Sequence, residues 1–215
     1  MWRPERSGHG LFEQAGWKGL FGVRACLAID LDRALKRQAS GGKAAQGLWD
    51  MARGDRPDPV VECGMNIVRA TPADAVAVSA LIHQLSHHFL AAPDGPETSA
   101  FLAATSAERM AQYIAEPARV FAVARDAQQL AGFISLKDGS RISQFFVAPA
   151  FQGRGLGRRL WNQVRVLAGA QEGAAFTVDA SLNAVAVYSR FGFVPCGPVT
   201  RDGGVVFLPM HRPAA

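Results

Sequence analysis

The segment VAPAFQGRGLGRRL, residues 147–160, decides the fold of this 215-residue chain. It begins at the end of a strand-like run, passes through a glycine-rich turn, and opens into a helix with Leu156, Leu160 and Val164 on one face. Glycine allows strained dihedral angles and a close approach of the backbone to a ligand. Because the first turn of a helix has free N–H groups and the positive end of the helix dipole, this junction predicts a site for a pyrophosphate.

The turn differs from the two best-known phosphate-binding loops. It lacks the GxxxxGK[ST] spacing of a P-loop. It follows a fourth strand and reads GRGLG, so it is not a dinucleotide-binding fingerprint. Arg154 and Arg158 add positive charge at its rim. The glycine pattern alone would also suit a plain helix-opening turn.

Periodicity outward from this turn predicts one mixed-sheet domain over residues 65–215. The expected element order is β-α-α-β-β-β-α-β-α-β-β. Strands are expected at 66–70, 120–125, 130–137, 140–147, 175–179, 193–195 and 205–210, and helices at 72–89, 99–115, 156–167 and 182–191. Because a helix separates strands 140–147 and 175–179, we expect them to be parallel neighbours through a right-handed crossover. The last two strands should form a hairpin that turns at residues 202–204.

Residues 1–64 have a different character. They show no sustained strand pattern, one short helical stretch at 28–38, and an extended linker, RGDRPDPV, at 53–60. We interpret them as an extension of doubtful status. One option is a regulatory or targeting segment. The other, which we favour, is that translation begins at Met65, because Met65 directly precedes the first strand of the domain.

Composition excludes several classes of protein. The net charge of +5 is not gathered into a Lys/Arg block, which argues against a nucleic-acid partner. No run of eighteen apolar residues and no secretory signal occur, so we expect no membrane association. Three scattered cysteines, Cys26, Cys63 and Cys196, argue against a disulfide framework and a zinc site, and favour the cytoplasm.

Two motifs resemble those of the GNAT (GCN5-related N-acetyltransferase) superfamily. The run 152–157, QGRGLG, matches the signature Gln/Arg-x-x-Gly-x-Gly/Ala at every fixed position, after a Val-x-Pro strand end at 147–149. The run 183–193, NAVAVYSRFGF, looks like the family's Asn…Tyr…Gly-Phe segment. The resemblance covers residues 65–215. It implies an α/β fold with a central, mostly antiparallel twisted sheet, one splayed parallel pair and flanking helices.

The resemblance also implies an activity. Such an enzyme transfers acetyl from acetyl-CoA directly to an amine of a small molecule, protein or peptide, through a tetrahedral intermediate and without a metal. The co-substrate would enter between strands 140–147 and 175–179. The main chain of Phe145 and Val147 would bind pantetheine, with the Val147 N–H stabilising the oxyanion. The pyrophosphate would lie on Gln152, Gly153, Arg154, Gly155, Leu156, Gly157 and Arg158.

By the same resemblance, Tyr188 is the expected general acid. A phenol is protonated at neutral pH and can protonate a departing thiolate. The alternative is a core tyrosine that packs its helix. Asn183 is expected to bind the pantetheine or thiol region, or to cap its helix, and the two roles are compatible.

The general base is less well defined by the sequence. Many relatives place a glutamate on strand 140–147, but the inward candidate here is Gln144, which cannot accept the proton. Asp179 is a possible base, directly or through water, although we favour a turn or cap role for it. His87 and His88 are candidates for the acceptor pocket, against the commoner outcome of surface histidines.

Three further expectations concern packing and assembly. Phe145 and Phe146 should face opposite sides of their strand, and Cys196 should be a small apolar filler. Strand 205–210 could be an edge strand able to form a homodimer. The alternative to an enzyme is a non-catalytic GNAT-fold module that binds or senses acyl-CoA.

Overall fold

The computed structural model describes residues 65–90, 95–202 and 204–214. The short helix and the linker expected in residues 1–64 lie outside the described residues, as do Cys26 and Cys63. The start of translation at Met65 stays a prediction.

Eight strands form one mixed sheet. In chain order they are β1 (Asn66–Arg69), β2 (Arg119–Asp126), β3 (Gln129–Lys137), β4 (Arg141–Val147), β5 (Phe176–Ser181), β6 (Val194–Pro195), β7 (Thr200–Asp202) and β8 (Val205–Arg212). The strand order is β1-β2-β3-β4-β5-β8-β6, with β7 paired to β8. Among the strands of the described residues, only β4 and β5 pair in parallel. The predicted α/β fold, with a mostly antiparallel sheet and one parallel pair, is confirmed.

Five α-helices accompany the sheet in the described residues. They are α1 (Ala75–Leu85), α2 (Pro96–Ala104), α3 (Ala107–Ala115), α4 (Leu156–Leu167) and α5 (Val185–Arg190). Helices α1 and α3 pack on one face of β2 and β3, and α4 packs on the other. Residues 72–74, predicted to be helical, form a 3-10 turn with a capping box between Thr71 and Asp74, so α1 begins three residues after the predicted start.

The single helix predicted at 99–115 is wrong, because the chain breaks it at Thr105. The Thr105 hydroxyl donates to the Phe101 carbonyl at 2.8 Å and ends α2. The next residue, Ser106, accepts the Arg109 N–H at its side chain and begins α3. Serine at this position stabilises a new helix start rather than the continuation of the old helix.

The predicted terminal hairpin is also corrected. Strand β7 pairs with the first part of β8 across the turn, with Thr200 opposite Phe207. Strand β6 pairs with the last part of β8, with Val194 opposite His211. On its other side β8 pairs with the whole of β5. Strand β8 is therefore an interior strand, and the expectation of an edge strand at 205–210 is wrong. A homodimer formed through another surface stays a prediction.

Phe145 and Phe146 lie on opposite faces of β4, as the alternation predicts. Phe146 contacts Phe89 and Phe133 on the side of α1 and α3, which we call the α1/α3 side. Phe145 contacts Tyr188 and Phe191 on the side of α4. The sheet thus separates two aromatic clusters, and β4 contributes one ring to each.

Candidate active site

Strands β4 and β5 are paired only at their first residues. Arg141 lies opposite Thr177 and Ile142 opposite Val178, and these are the two parallel register pairs. Both strands continue, β4 to Val147 and β5 to Ser181. Their carboxyl-terminal halves are therefore separated, and we call the space between them the gap.

The main chain of β4 presents hydrogen-bonding groups to the gap. Val147 is opposite Gly132 of β3, and the following N–H, that of Ala148, donates to the Ala131 carbonyl at 2.9 Å. This is the pattern of a non-hydrogen-bonded antiparallel pair, so the N–H and C=O of Val147 itself point away from β3. Phe145, two residues earlier, has the same orientation. Gln152 Nε2 donates to the Val147 carbonyl at 2.8 Å, so that carbonyl is already occupied. The N–H groups of Phe145 and Val147 and the carbonyl of Phe145 face the gap, where a ligand could bind them.

A β-bulge lies beside the opening of the gap. Ser135 is opposite Gln144 but Leu136 is opposite Ile142, so Ser143 is an extra residue in β4. Beyond the bulge, Gln144 faces the α1/α3 side, where its Nε2 contacts Met110 Sδ of α3 at 3.6 Å. Its side chain is inward as predicted, with 1% of its surface exposed.

The glycine turn has the predicted strand–turn–helix arrangement. Gly153 and Gly155 adopt positive φ angles of 72° and 78°, a conformation that other residues rarely take. Gly155 is the N-cap of α4, and the Arg159 N–H donates to its carbonyl. The N–H groups of residues 156–158 precede this first helical bond and have no partner within the helix.

The arginines of this turn do not all serve one site. Arg154 and Arg158 are exposed beside the first turn of α4. Arg159 instead donates from Nη2 to the Met65 carbonyl at 2.9 Å, which ties α4 to the start of β1. Two arginines, rather than three, therefore remain beside the predicted anion site.

Tyr188 lies on α5, on the α4 side of the sheet. It is fully buried, and its ring packs edge-on against Phe145 at 6.3 Å and Phe193 at 5.6 Å between centroids. The ring of the expected general acid therefore contacts a residue whose main chain faces the gap.

Asn183 precedes α5 in a 3-10 turn, Leu182–Ala184. Its Oδ1 accepts a hydrogen bond from Ser181 Oγ at 2.6 Å. The cap positions of the turn and of α5 are Ser181 and Ala184, so the capping role considered for Asn183 is wrong. The 3-10 turn displaces the helix start by three residues, from the predicted 182 to Val185.

Asp179 is in the middle of β5, one residue beyond the last pair with β4. Its Oδ2 accepts a hydrogen bond from Arg141 Nη2 at 2.8 Å. The favoured turn or cap role is wrong, because β5 continues to Ser181. The carboxylate that was the candidate base lies at the closed end of the gap, in an ion pair.

Cys196 is exposed and is not the small apolar filler that we expected. Partial burial of the sulfur raises the pKa of its thiol, and the negative charge of Asp179 raises this pKa further. A thiol of raised pKa is a poor nucleophile at neutral pH, in agreement with the absence of cysteine chemistry from the expected mechanism.

His87 and His88 lie in the 3-10 turn that follows α1, with their ring centroids 3.9 Å apart. The next residue, Phe89, contacts Phe146 of β4. The two histidines are therefore next to the α1/α3 side of the sheet, where the predicted acceptor pocket would lie.

Sequence reasoning missed Arg141 and Ser135. Arg141 meets Asp179 from 38 positions away, and Ser135 meets Gln144 only through the register of β3 and β4. A serine or an arginine within a strand carries no local motif. Only strand pairing makes these residues part of the site.

None of the helices in the described residues is long and apolar enough to cross a bilayer. No three His, Cys, Asp or Glu side chains among these residues are grouped so that they could hold a metal ion.

Comparison with known proteins gives a family and a fold. The family model described as an acetyltransferase (GNAT) domain matches residues 84–213. No curated protein matches the chain.

Solved structures similar to this chain include a GCN5-related N-acetyltransferase from Rhodopseudomonas palustris. It shares 26% identity at a TM-score of 0.57, over 72% of this chain and 98% of that one. The PaiA N-acetyltransferase from Thermoplasma acidophilum, in complex with coenzyme A, shares 15% identity at a TM-score of 0.58, over 70% and 99%. A GCN5-related N-acetyltransferase from Kribbella flavida shares 23% identity at a TM-score of 0.50, over 70% and 98%. The last two likenesses concern the fold alone.

Proposed function

This chain belongs to the GNAT family of acetyltransferases, and from this premise we propose that it transfers acetyl from acetyl-CoA directly to an amine of a small molecule or peptide. The observation that carries the proposal is the gap between β4 and β5, which opens beside the N-terminus of α4. A bound thioester and a bound pyrophosphate would then lie at two ends of one continuous site.

The residues present fit acetyl-CoA as the co-substrate. The N–H groups of residues 156–158, with Arg154 and Arg158 beside them, suit the pyrophosphate. Phe145 and Val147 offer two N–H donors and one carbonyl acceptor along the gap, which suit the amides of pantetheine. The coenzyme A complex of the PaiA relative, which shares this fold, supports the assignment.

The thioester supplies an activated acetyl group when it is bound. The Val147 N–H is proposed to stabilise the negative charge that develops on the thioester oxygen, because a donor fixed by the sheet needs no reorganisation during the reaction. Tyr188 is proposed to donate the proton that the sulfur gains. Asn183, at the carboxyl end of β5, is proposed to orient the thiol region.

The second candidate is a non-catalytic module that binds acyl-CoA. The complete burial of Tyr188 between Phe145 and Phe193 favours it, because that packing also suits a core residue. Both candidates predict binding of acetyl-CoA, and only the enzyme predicts turnover.

The deciding experiment combines calorimetry with a thiol-release assay. The full chain is titrated with acetyl-CoA, and thiol release is then followed with amino acids, polyamines, aminoglycosides, aromatic amines and peptide N-termini. Amine-dependent release above the rate of thioester hydrolysis supports the enzyme. Binding without any amine-dependent release contradicts it and favours the binding module.

A further inference from the structure

Two buried oxygen atoms on the α1/α3 side lack a hydrogen-bond partner within the described part of the chain. They are Ser135 Oγ and Gln144 Oε1. Ser135 is 0% exposed and Gln144 1%. The two residues lie directly opposite each other in β3 and β4, so their side chains stand side by side on one face.

The missing hydrogen bonds of these two buried oxygens need a physical explanation. Buried polar atoms in folded proteins are almost always hydrogen-bonded, and an unpaired one is costly in a medium of low dielectric constant. Alanine and methionine would fill the same space without this cost. The pair is therefore better explained by a ligand that donates hydrogen bonds than by packing.

The pair is located where a reacting amine must be. Gln144 is two residues beyond Ile142, the last residue of β4 that pairs with β5. It directly precedes Phe145, whose N–H faces the gap. A group bound at Ser135 and Gln144 is thus level with the open part of the gap, on the face opposite Tyr188.

The surroundings of the pair are aromatic and apolar. Phe146 joins Phe133 and Phe89 in a chain of ring contacts, and Met110 lies against Gln144. Three charged residues in the described part are buried, and each is already in an ion pair: Asp74 with Arg125, Arg119 with Glu116, and Asp179 with Arg141. None of these charges is left to stabilise a buried ammonium.

We propose that Ser135 and Gln144 bind the amino group of the acceptor and select an uncharged aromatic primary amine; this rests on the proposed function. A neutral primary amine has two N–H donors and one lone pair. Two acceptor oxygens can take both N–H groups and leave the lone pair directed at the gap. An ammonium group has three N–H donors and no lone pair. It therefore has one donor more than the two oxygens accept, and its nitrogen cannot attack the thioester.

The reaction balances without a carboxylate base. The amine nitrogen forms a bond to the acetyl carbon, the carbon–sulfur bond breaks, the nitrogen loses one proton and the sulfur gains one. Because the amine arrives uncharged, no proton has to be removed before attack. Asp179 then serves in its ion pair with Arg141 and not as a base. Gln144, at the strand position where many relatives carry a glutamate, accepts a hydrogen bond from an uncharged amine and does not need to remove a proton from it.

The test compares aniline with benzylamine, which adds one methylene group and is protonated at neutral pH. With saturating acetyl-CoA we expect kcat/KM for aniline to exceed that for benzylamine at least tenfold. Ser135→Ala and Gln144→Met should each raise KM for aniline about tenfold, the effect of one lost hydrogen bond, with kcat changed much less. A preference for benzylamine, or an unchanged KM in both variants, overturns the proposal.

Ser79→Ala is the matched control. Ser79 is also buried, but its hydroxyl donates to the Thr105 carbonyl at 2.7 Å. Ser79→Ala should lower the melting temperature and leave KM unchanged. Ser135→Ala should leave the melting temperature unchanged or raise it, because no hydrogen bond of the folded chain is lost. Equal destabilisation by both variants would show that the Ser135 hydroxyl is structural and would overturn the proposal.

The two proposals fail in different ways. If benzylamine is acetylated and aniline is not, the enzyme stands and the selection of uncharged aromatic amines is wrong. If acetyl-CoA binds and no amine of any class promotes thiol release, the acetyltransferase proposal fails and this inference fails with it.

Discussion

Arg141 of β4 and Asp179 of β5 form an ion pair across the point where the two parallel strands separate, with Arg141 Nη2 2.8 Å from Asp179 Oδ2. The register pairs of the two strands end at Ile142 and Val178, so the ion pair lies at the closed end of the gap. It joins two strands that diverge immediately beyond it. The depth of the gap therefore depends in part on this contact.

Arg141→Met should destabilise the fold, because it removes the hydrogen bond and the ion pair that Arg141 makes with the buried Asp179 carboxylate. We expect a loss of about 1–2 kcal/mol in the free energy of unfolding, less than for a fully buried pair, since Arg141 is partly exposed to water. Urea denaturation measures this. Arg201→Met, at an exposed arginine of β7, is the control and should change stability by less than about 0.5 kcal/mol. Equal effects of the two variants would contradict the importance of the ion pair.

Gly155→Ala should weaken binding of acetyl-CoA about tenfold, because a Cβ at φ 78° strains the turn that presents the N–H groups of α4. Calorimetry measures the affinity. Gly169→Ala is the matched control, since Gly169 also has a positive φ, 63°, and lies beyond the other end of α4. Both variants should lose roughly 1 kcal/mol of stability. A loss of affinity in both, or in neither, would count against the anion site.

Tyr188→Phe should reduce turnover about a hundredfold and leave the affinity for acetyl-CoA near that of the unmodified protein. The phenylalanine ring keeps the contacts with Phe145 and Phe193, and only the proton donor is lost. Thiol release with the best acceptor of the panel measures kcat. Normal turnover in this variant would remove Tyr188 from the role of general acid.

The Cys196 thiol should react slowly with iodoacetamide at pH 7, because both partial burial and Asp179 disfavour the thiolate. Below the raised pKa, the rate should increase about tenfold per pH unit, since only the thiolate reacts. Asp179→Asn removes the negative charge, lowers the pKa of Cys196, and should accelerate the reaction at pH 7.

This reaction is measured in chains with Cys26 and Cys63 replaced by serine, so that Cys196 is the one thiol present. Thr177→Asn, at an exposed neighbour on β5, is the control and should not change the rate. A slower reaction in Asp179→Asn would contradict the electrostatic cause.

Features set by near neighbours in the chain could be predicted from the sequence. The glycine turn before α4 and the opposite facing of Phe145 and Phe146 depend on backbone conformations a few residues apart. The helix between strands 140–147 and 175–179 predicted that these two strands are parallel neighbours, and the structure confirms it. The break at Thr105 was missed because residues 99–115 contain no glycine or proline to mark it.

The amino-acid sequence by itself therefore determined the turn suited to an anion, the family, and the order of the elements except for the break at Thr105 and the extra strand β7. Tertiary structure alone decided that β8 lies inside the sheet, that Asp179 meets Arg141, and that Ser135 stands beside Gln144. These contacts join residues far apart in the chain or on different strands, and a shift of one residue in register would turn each side chain to the other face. Register is set by the packing of the whole sheet between its helices, and no local segment contains that information.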